Sequence, residues 1–253
     1  MRPKKKWGQN FLRNRGAVEK IVAAIEAEPG ETIVEIGPGE GVLTEKLAEL
    51  GNPVVAIEID PDLAATLRTR LPNVEVRNED ALEAPLPDRS YRAVGNLPYN
   101  VGTPILRRII ADPHFRRGVF MLQKEVADRL VAKPRDEQYG FLTLYAQLFA
   151  KARTLLTLDR QSFHPPPKVR SAVVVFDVDR KPYASSEIID LLSTSFRMRR
   201  KKLVNNLIGW RDLTRDDALE AMRRAGIQEG ARAEELSLDD FARLHSALVD
   251  PAS

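Results

Sequence analysis

The stretch Thr32-Ile33-Val34-Glu35-Ile36-Gly37-Pro38-Gly39-Glu40-Gly41-Val42-Leu43-Thr44 decides the fold class. Residues 32–36 read as a buried strand. The strand runs directly into alternating glycines, and residues 42–50 then read as a helix. Glycine lets a backbone approach a ligand closely and take positive φ, so a strand, a glycine turn and a helix in succession suit a ligand-binding edge. The spacing is Gly-x-Gly-x-Gly, not Gly-x-Gly-x-x-Gly, which leans away from a dinucleotide.

Outward from this unit the pattern repeats. Pro53 to Ile59 reads as a second strand ending in Glu58 and Asp60, and a helix follows from Asp62 to Leu71 with Pro61 at its start. Val74 to Arg77, Tyr91 to Val94 and Gly118 to Leu122 read as further strands. Thr103 to Ala111 and Lys124 to Lys133 read as helices, and residues 16–28 as a helix ahead of the first strand. Alternating strands and helices imply an α/β fold with a parallel sheet and right-handed crossovers. Gly37, Gly39, Glu58, Asp80 and Asn96 then all fall at strand C-terminal ends, the edge where such sheets bind ligands. Glu58 could accept from ribose hydroxyls, and Asp80 from an adenine amino group. Glu58 or Asp60 could equally serve as a charge at a helix N-terminus, and Asp80 as a cap for Ala81-Leu82.

After residue 140 the alternation changes. Leu142 to Phe149 looks helical, and Ala152 to Leu158 and Ala172 to Val178 read as the last two strands. From Ser185 on, only helices are evident. A boundary is expected near Lys181-Pro182, giving a catalytic domain over 1–181 with a basic N-terminal arm, and a small helical domain over 182–253.

The chain has 253 residues, 43% hydrophobic and 30% charged, with net charge +3. It has no apolar run near 18 residues, so no membrane span is expected. No apolar segment follows the basic start, so no secretory signal is expected. Cysteine is absent, which excludes disulfides and thiolate chemistry and fits a cytoplasmic protein. His114, His164 and His245 have no ligand-like spacing, so no metal is expected. Positive charge concentrates in Lys4, Lys5 and Lys6, and in Arg197, Arg199, Arg200, Lys201 and Lys202, which are candidates for contact with nucleic acid.

Asn96-Leu97-Pro98-Tyr99 carries the chemistry. An exocyclic amino nitrogen such as adenine N6 is a poor nucleophile, because its lone pair is spread into the ring. Two acceptors aimed at its hydrogens favour a tetrahedral, reactive geometry. Asn96 can supply a side-chain carbonyl, Leu97 or Pro98 a backbone carbonyl, and Tyr99 a stacking face. Pro98 stiffens the turn.

Taken in order, several segments resemble the small-subunit ribosomal RNA adenine N6,N6-dimethyltransferase family (KsgA/RsmA type). They are Gly8-Gln9-Asn10-Phe11-Leu12, Glu35 to Thr44, Ile57-Glu58-Ile59-Asp60, Asp80-Ala81-Leu82 and Asn96 to Asn100. Gln123 to Leu130, Tyr139-Gly140, Phe163 to Ser171, Phe196 to Leu203 and Arg232 to Ser237 continue the match. The resemblance implies a Rossmann-like class I S-adenosylmethionine-dependent methyltransferase. It implies that Asn10 and Leu12 fold over the cofactor, that Gly37 meets its methionine end, Glu58 its ribose and Asp80 its adenine. Asn96 would touch both the methionine end and the target amine, and Tyr99 and Phe163 would sandwich the target adenine. Leu97, where many DNA amino-methylases carry proline, would leave room for a first methyl group. The family usually has Gly before the Asp-Ala-Leu segment, and here Glu79 stands there.

The implied substrate is a pair of adjacent adenines in a hairpin loop near the 3′ end of 16S rRNA, in an immature 30S subunit, acted on by a monomer. The nearest rival is the macrolide-resistance type of dimethyltransferase, which modifies 23S rRNA. A non-catalytic ribosome assembly factor and a dinucleotide oxidoreductase are more distant.

Overall fold

A computed structural model describes residues 9–249. Gly8 and the Lys4, Lys5 and Lys6 cluster lie outside the described residues. In chain order the elements are β1 (Phe11–Leu12), α1 (Arg15–Ile25), β2 (Thr32–Ile36), α2 (Val42–Ala48), β3 (Val54–Ile57), α3 (Pro61–Arg70), β4 (Glu75–Arg77), β5 (Tyr91–Asn96), α4 (Gly102–Ala111) and β6 (Phe115–Gln123). Then come α5 (Lys124–Val131), α6 (Phe141–Phe149), β7 (Ala150–Leu158), β8 (Phe163–His164), β9 (Ser171–Val178), α7 (Ser186–Ser195), α8 (Leu203–Leu207), α9 (Arg215–Arg224) and α10 (Leu238–Val249).

Seven strands form one sheet in the order β4-β3-β2-β5-β6-β9-β7. The strands β4, β3, β2, β5 and β6 pair in parallel, and β9 returns antiparallel against β6. From β2 the chain builds outward to β3 and β4, then jumps back to β5 on the other side. The strand order therefore reverses between β2 and β5, and the crevice at such a switch point is where an open α/β sheet binds its ligand. The residues bordering that crevice are Ile36 paired with Gly95, and then Asn96 at the very end of β5. β2 and β3 are buried along their whole length, as strands covered on both faces must be.

The helix boundaries follow their caps. Asn14 accepts from the Ala17 N–H at the start of α1. Asp60 accepts from Asp62 ahead of α3, with Pro61 at the first helical position, where a missing N–H costs nothing.

Two compact units divide the chain. The first runs to Ala127 and resumes over Lys151–Val178; the second takes Asp128–Ala150 and the described residues from Asp179 on. The division differs from the single boundary expected near 181–182, since residues 128–150 belong with the C-terminal helices. The reason lies in long-range bonds. The buried Tyr139 hydroxyl donates to the Leu236 carbonyl at 2.7 Å, Arg135 N–H donates to Glu234 and Lys181 N–H to Leu148. None of these pairings has a local sequence signature.

The short β1 and β8 form a second, two-stranded antiparallel sheet, with Phe11 opposite His164 and Leu12 opposite Phe163. Two-residue strands bring no periodicity, and the sequence offered no sign of this pairing.

Candidate active site

A cleft of roughly 980 Å³, counted to its open mouth, lies at the C-terminal ends of β2, β3 and β5. Asn10, Leu12, Gly37, Gly39, Glu58, Asp80, Asn96, Leu97, Pro98 and Tyr99 all line it. Its floor is the glycine turn. Gly37, Gly39 and Gly41 each have positive φ, so the turn needs residues without a Cβ penalty. At Gly41 a Cβ would also sit 2.5 Å from Leu67 Cδ2, so the end of that side chain would have to move aside.

Glu58 organises this floor. Its Oε2 accepts from Gly39 N–H at 3.0 Å and its Oε1 from Asp60 N–H at 2.9 Å. A carboxylate has about four acceptor sites, more than these N–H donors use, so it can still meet a ligand hydroxyl. Burial, and to a lesser degree the Asp60 charge, push its pKa above the ordinary range, and the Asp60, Gly39 and Ile59 N–H donors pull it back.

Asp80 is exposed. Its Oδ1 accepts from Leu82 N–H at 2.9 Å, and its carbonyl accepts from Glu83 and Ala84. The segment is a turn, not a helix start. Arg108 on α4 holds it in place by donating to the carbonyls of Ala81 and Ala84 at 3.1 and 2.7 Å. Arg108 escaped the sequence reading because its partners are distant backbone carbonyls.

The roof is residues 9–13. Gln9 Nε2 donates to Asp60 Oδ2 at 3.0 Å. Asn96 Nδ2 donates to the Asn10 carbonyl at 2.7 Å. Arg13 N–H donates to Ser162, and its guanidinium pairs with Glu40 at 2.6 Å. These bonds tie the segment to the glycine turn, to the start of α3, to β5 and to the stretch before β8. The Asn96 bond also sets the amide's orientation: its NH₂ is used, which leaves Oδ1 as the acceptor.

Beside Asn96, the motif's backbone carbonyls separate. The Pro98 carbonyl accepts from Val101 and Gly102 at 3.2 and 2.6 Å. It is committed to the turn, so of the two backbone acceptors expected from sequence Leu97 is the better placed. The Leu97 side chain is buried at 1% exposure, and its N–H donates to Met121 at 3.1 Å. A proline there would lose that bond.

Tyr99 is half-buried, and its hydroxyl lies 2.6 Å from Ser171 Oγ. Burial raises its phenol pKa, opposed by the Ser171 bond. A phenol held neutral and pinned at its hydroxyl suits a stacking surface, not an acid–base role. Ser171 ends the Phe163 to Ser171 segment, and no signal short of the β6–β9 pairing, which sets Ser171 opposite Gln123, brings it to Tyr99.

Phe163 is not among the cleft residues. It is 3% exposed and packs in the core with Leu12, Val173 and Val175. With Leu12 paired across it, its ring has no open face, so the sandwich with Tyr99 is not formed in this conformation.

The basic cluster after α7 is a turn, not a helix. Arg197, Arg200, Lys201 and Lys202 are exposed. Arg199 is half-exposed; it pairs with Glu234 at 3.1 Å and donates to the Asp136 and Glu137 carbonyls. Arg199 therefore differs from the other four charges in having partners within the fold.

The family model described as "Ribosomal RNA adenine dimethylase" matches residues 1–250. "Ribosomal RNA small subunit methyltransferase A" of Methylococcus capsulatus is 43% identical, covering 97% of this chain and 98% of its own. A dimethyladenosine transferase from Plasmodium falciparum superposes with TM-score 0.83 at 27% identity, over 92% of this chain and 95% of that one. The 23S rRNA methyltransferase ErmE follows at TM-score 0.73 and 29% identity, over 95% of this chain and 100% of that one.

Proposed function

Because the chain belongs to the ribosomal RNA adenine dimethylase family, we propose that it transfers methyl groups from S-adenosylmethionine to N6 of two adjacent adenines. These lie in a hairpin loop near the 3′ end of 16S rRNA, in the immature 30S subunit. The observation that carries the reading is the Asn96 amide, oriented by Asn10 so that an acceptor stands at the end of β5 beside the Tyr99 ring.

The cleft suits the donor. Glycine backbone and carboxylates line it, and no lysine, arginine or histidine is among its described residues, as a cationic ligand requires. When bound, the donor supplies an electrophilic methyl group on a good leaving group. The chain's task is then positioning. Gly37 and Gly39 admit the donor closely, Glu58 takes its ribose, Asp80 its adenine, and Asn10 and Leu12 close over it. Asn96 Oδ1 and the Leu97 carbonyl accept from the amine, and Tyr99 stacks on the base. Phe163 completes the sandwich once the β1–β8 pair parts. The target adenine must leave its own stack first, which costs a few kcal/mol and favours a loop base.

The second unit carries the exposed Arg197, Arg200, Lys201 and Lys202, which we assign, with Lys4, Lys5 and Lys6, to the rRNA backbone. Replacing Arg197, Arg200 and Lys201 by alanine is expected to flatten the salt dependence of subunit binding by about 2–3 in log–log slope. An unchanged slope removes this surface from the interface. Arg199→Ala, by contrast, is expected to lower stability.

The likeness to ErmE makes 23S rRNA the second reading. Labelled S-adenosylmethionine offered to unmethylated 30S and 50S particles separates the two. Label is expected in 30S as N6-dimethyladenosine; label in 50S alone overturns the 16S assignment. The protein is expected to work as a monomer in the cytoplasm, and no described helix is long and apolar enough to cross a membrane.

A further inference from the structure

We propose that Arg108 is a positioning residue. It fixes the turn that carries Asp80 to α4, the helix into which the Asn96–Tyr99 motif leads, and so sets how firmly the adenine end of the donor is held. The proposal rests on the donor assignment above.

Residues 78–90, which link β4 to β5, contain no helix or strand. They leave the sheet from β4, a three-residue strand at its edge. The bonds within the turn close it on itself: Leu82 N–H donates to Asp80 Oδ1, and Glu83 and Ala84 N–H donate to the Asp80 carbonyl. Such bonds shape a turn but do not place it. Its flanks are held by Asn78 and Arg77, which donate to the Glu58 and Pro85 carbonyls at 2.8 and 3.2 Å. Arg108 holds the middle. Its Nη1 and Nη2 donate to the Ala81 and Ala84 carbonyls at 3.1 and 2.7 Å, so one planar fork grips both ends of one turn.

The helix that carries this fork is itself well seated. Gly102, Ile105, Leu106, Ile109 and Ile110 are buried, a spacing that sets one face of a helix against a core. Its start is bound to the motif, since the Pro98 carbonyl accepts from Val101 and Gly102 N–H. Ile105 lines the cleft, and Arg108 stands three residues further on, a neighbour on the helix surface. From Gly102 to Arg108 the helix advances ~9 Å. One rigid rod therefore meets the acceptor motif at one end and the Asp80 turn near the other. The distance between the place for the donor's adenine and the place for the target amine is set by α4, provided Arg108 keeps its grip.

The test is calorimetric binding of S-adenosylmethionine and of 5′-methylthioadenosine, which keeps the adenine but lacks the amino-acid end. Arg108 is half-buried, so water can take up both carbonyls in its absence and the fold is expected to survive. Arg108→Ala is expected to weaken both ligands by the same factor, about tenfold, the usual worth of a hydrogen bond from a charged group. Arg108→Lys keeps the charge but not the fork. It is expected to lose most of that affinity too, and it carries the same test if the alanine variant does not fold. In an Asp80→Ala background, removing Arg108 is expected to cost about twofold or less, because the two residues act as one unit.

Unchanged affinity in Arg108→Ala, or full affinity in Arg108→Lys, overturns the proposal. So does a loss much larger for S-adenosylmethionine than for 5′-methylthioadenosine, or one undiminished beside Asp80→Ala, since either is general loosening of the cleft. The donor assignment survives each of these results. It falls, and the role of Arg108 with it, only if the unaltered protein does not bind S-adenosylmethionine.

Discussion

Replacing Asn96 by alanine is expected to lower kcat for adenine methylation by about 10²–10³-fold, the usual cost of removing one preorganised group that meets developing charge. The amide does two things in this structure. Its NH₂ holds the Asn10 carbonyl at 2.7 Å, and its oxygen is thereby left for the substrate amine. The measurement is single-turnover methylation of 30S particles with S-adenosylmethionine saturating, beside calorimetric binding of the donor. The rate should collapse while the donor still binds, with an affinity lowered several-fold by the loosened residues 9–13. Full turnover in a variant that still binds the donor would end the case for an amine-directed acceptor at this position.

The largest loss of stability is expected from Gly95→Ala. Gly95 pairs with Ile36 of β2, and a Cβ there would lie 2.5 Å from the Ile36 carbonyl oxygen and 3.2 Å from its Cβ. The obstacle is backbone in the middle of a sheet, so nothing flexible can swing aside. Overpacking of this kind costs about 3 kcal/mol, which in a domain of this size lowers Tm by on the order of 10 °C. Because Asn96 is the next residue, methylation should fall with it. Gly16→Ala makes the informative comparison: it lies in α1 with only an ordinary 3.6 Å neighbour, and removing a helix glycine is worth up to about 1 kcal/mol in the favourable direction. Equal thermal shifts in the two variants would show that the β2–β5 contact does not limit stability.

Glu35 and Phe163 show how differently single residues can be read. Both stand in motifs the sequence makes recognisable. For Glu35, position in a buried strand was legible, but the missing partner for its Oε2 was not, since that depends on what β3, β5 and α2 bring alongside. For Phe163 the order of motifs implied a stacking role, yet the pairing of Leu12 with it buries the ring. Arg199 is a third case: in sequence it is one of five like charges, and only Glu234 and two carbonyls distinguish it from its neighbours.

By itself, then, the amino-acid order determined the α/β class, the strand-end placement of Gly37, Glu58, Asp80 and Asn96, and the family, because these depend on short-range periodicity, glycine geometry and motif order. Tertiary structure alone decided that residues 128–150 join the C-terminal helices, that residues 9–13 are tied across the cleft, and which carbonyl beside Pro98 remains available. The physical reason is that each of these is settled by a hydrogen bond or a packed ring between residues far apart in the chain. Such contacts exist only once the sheet has brought its strand ends together.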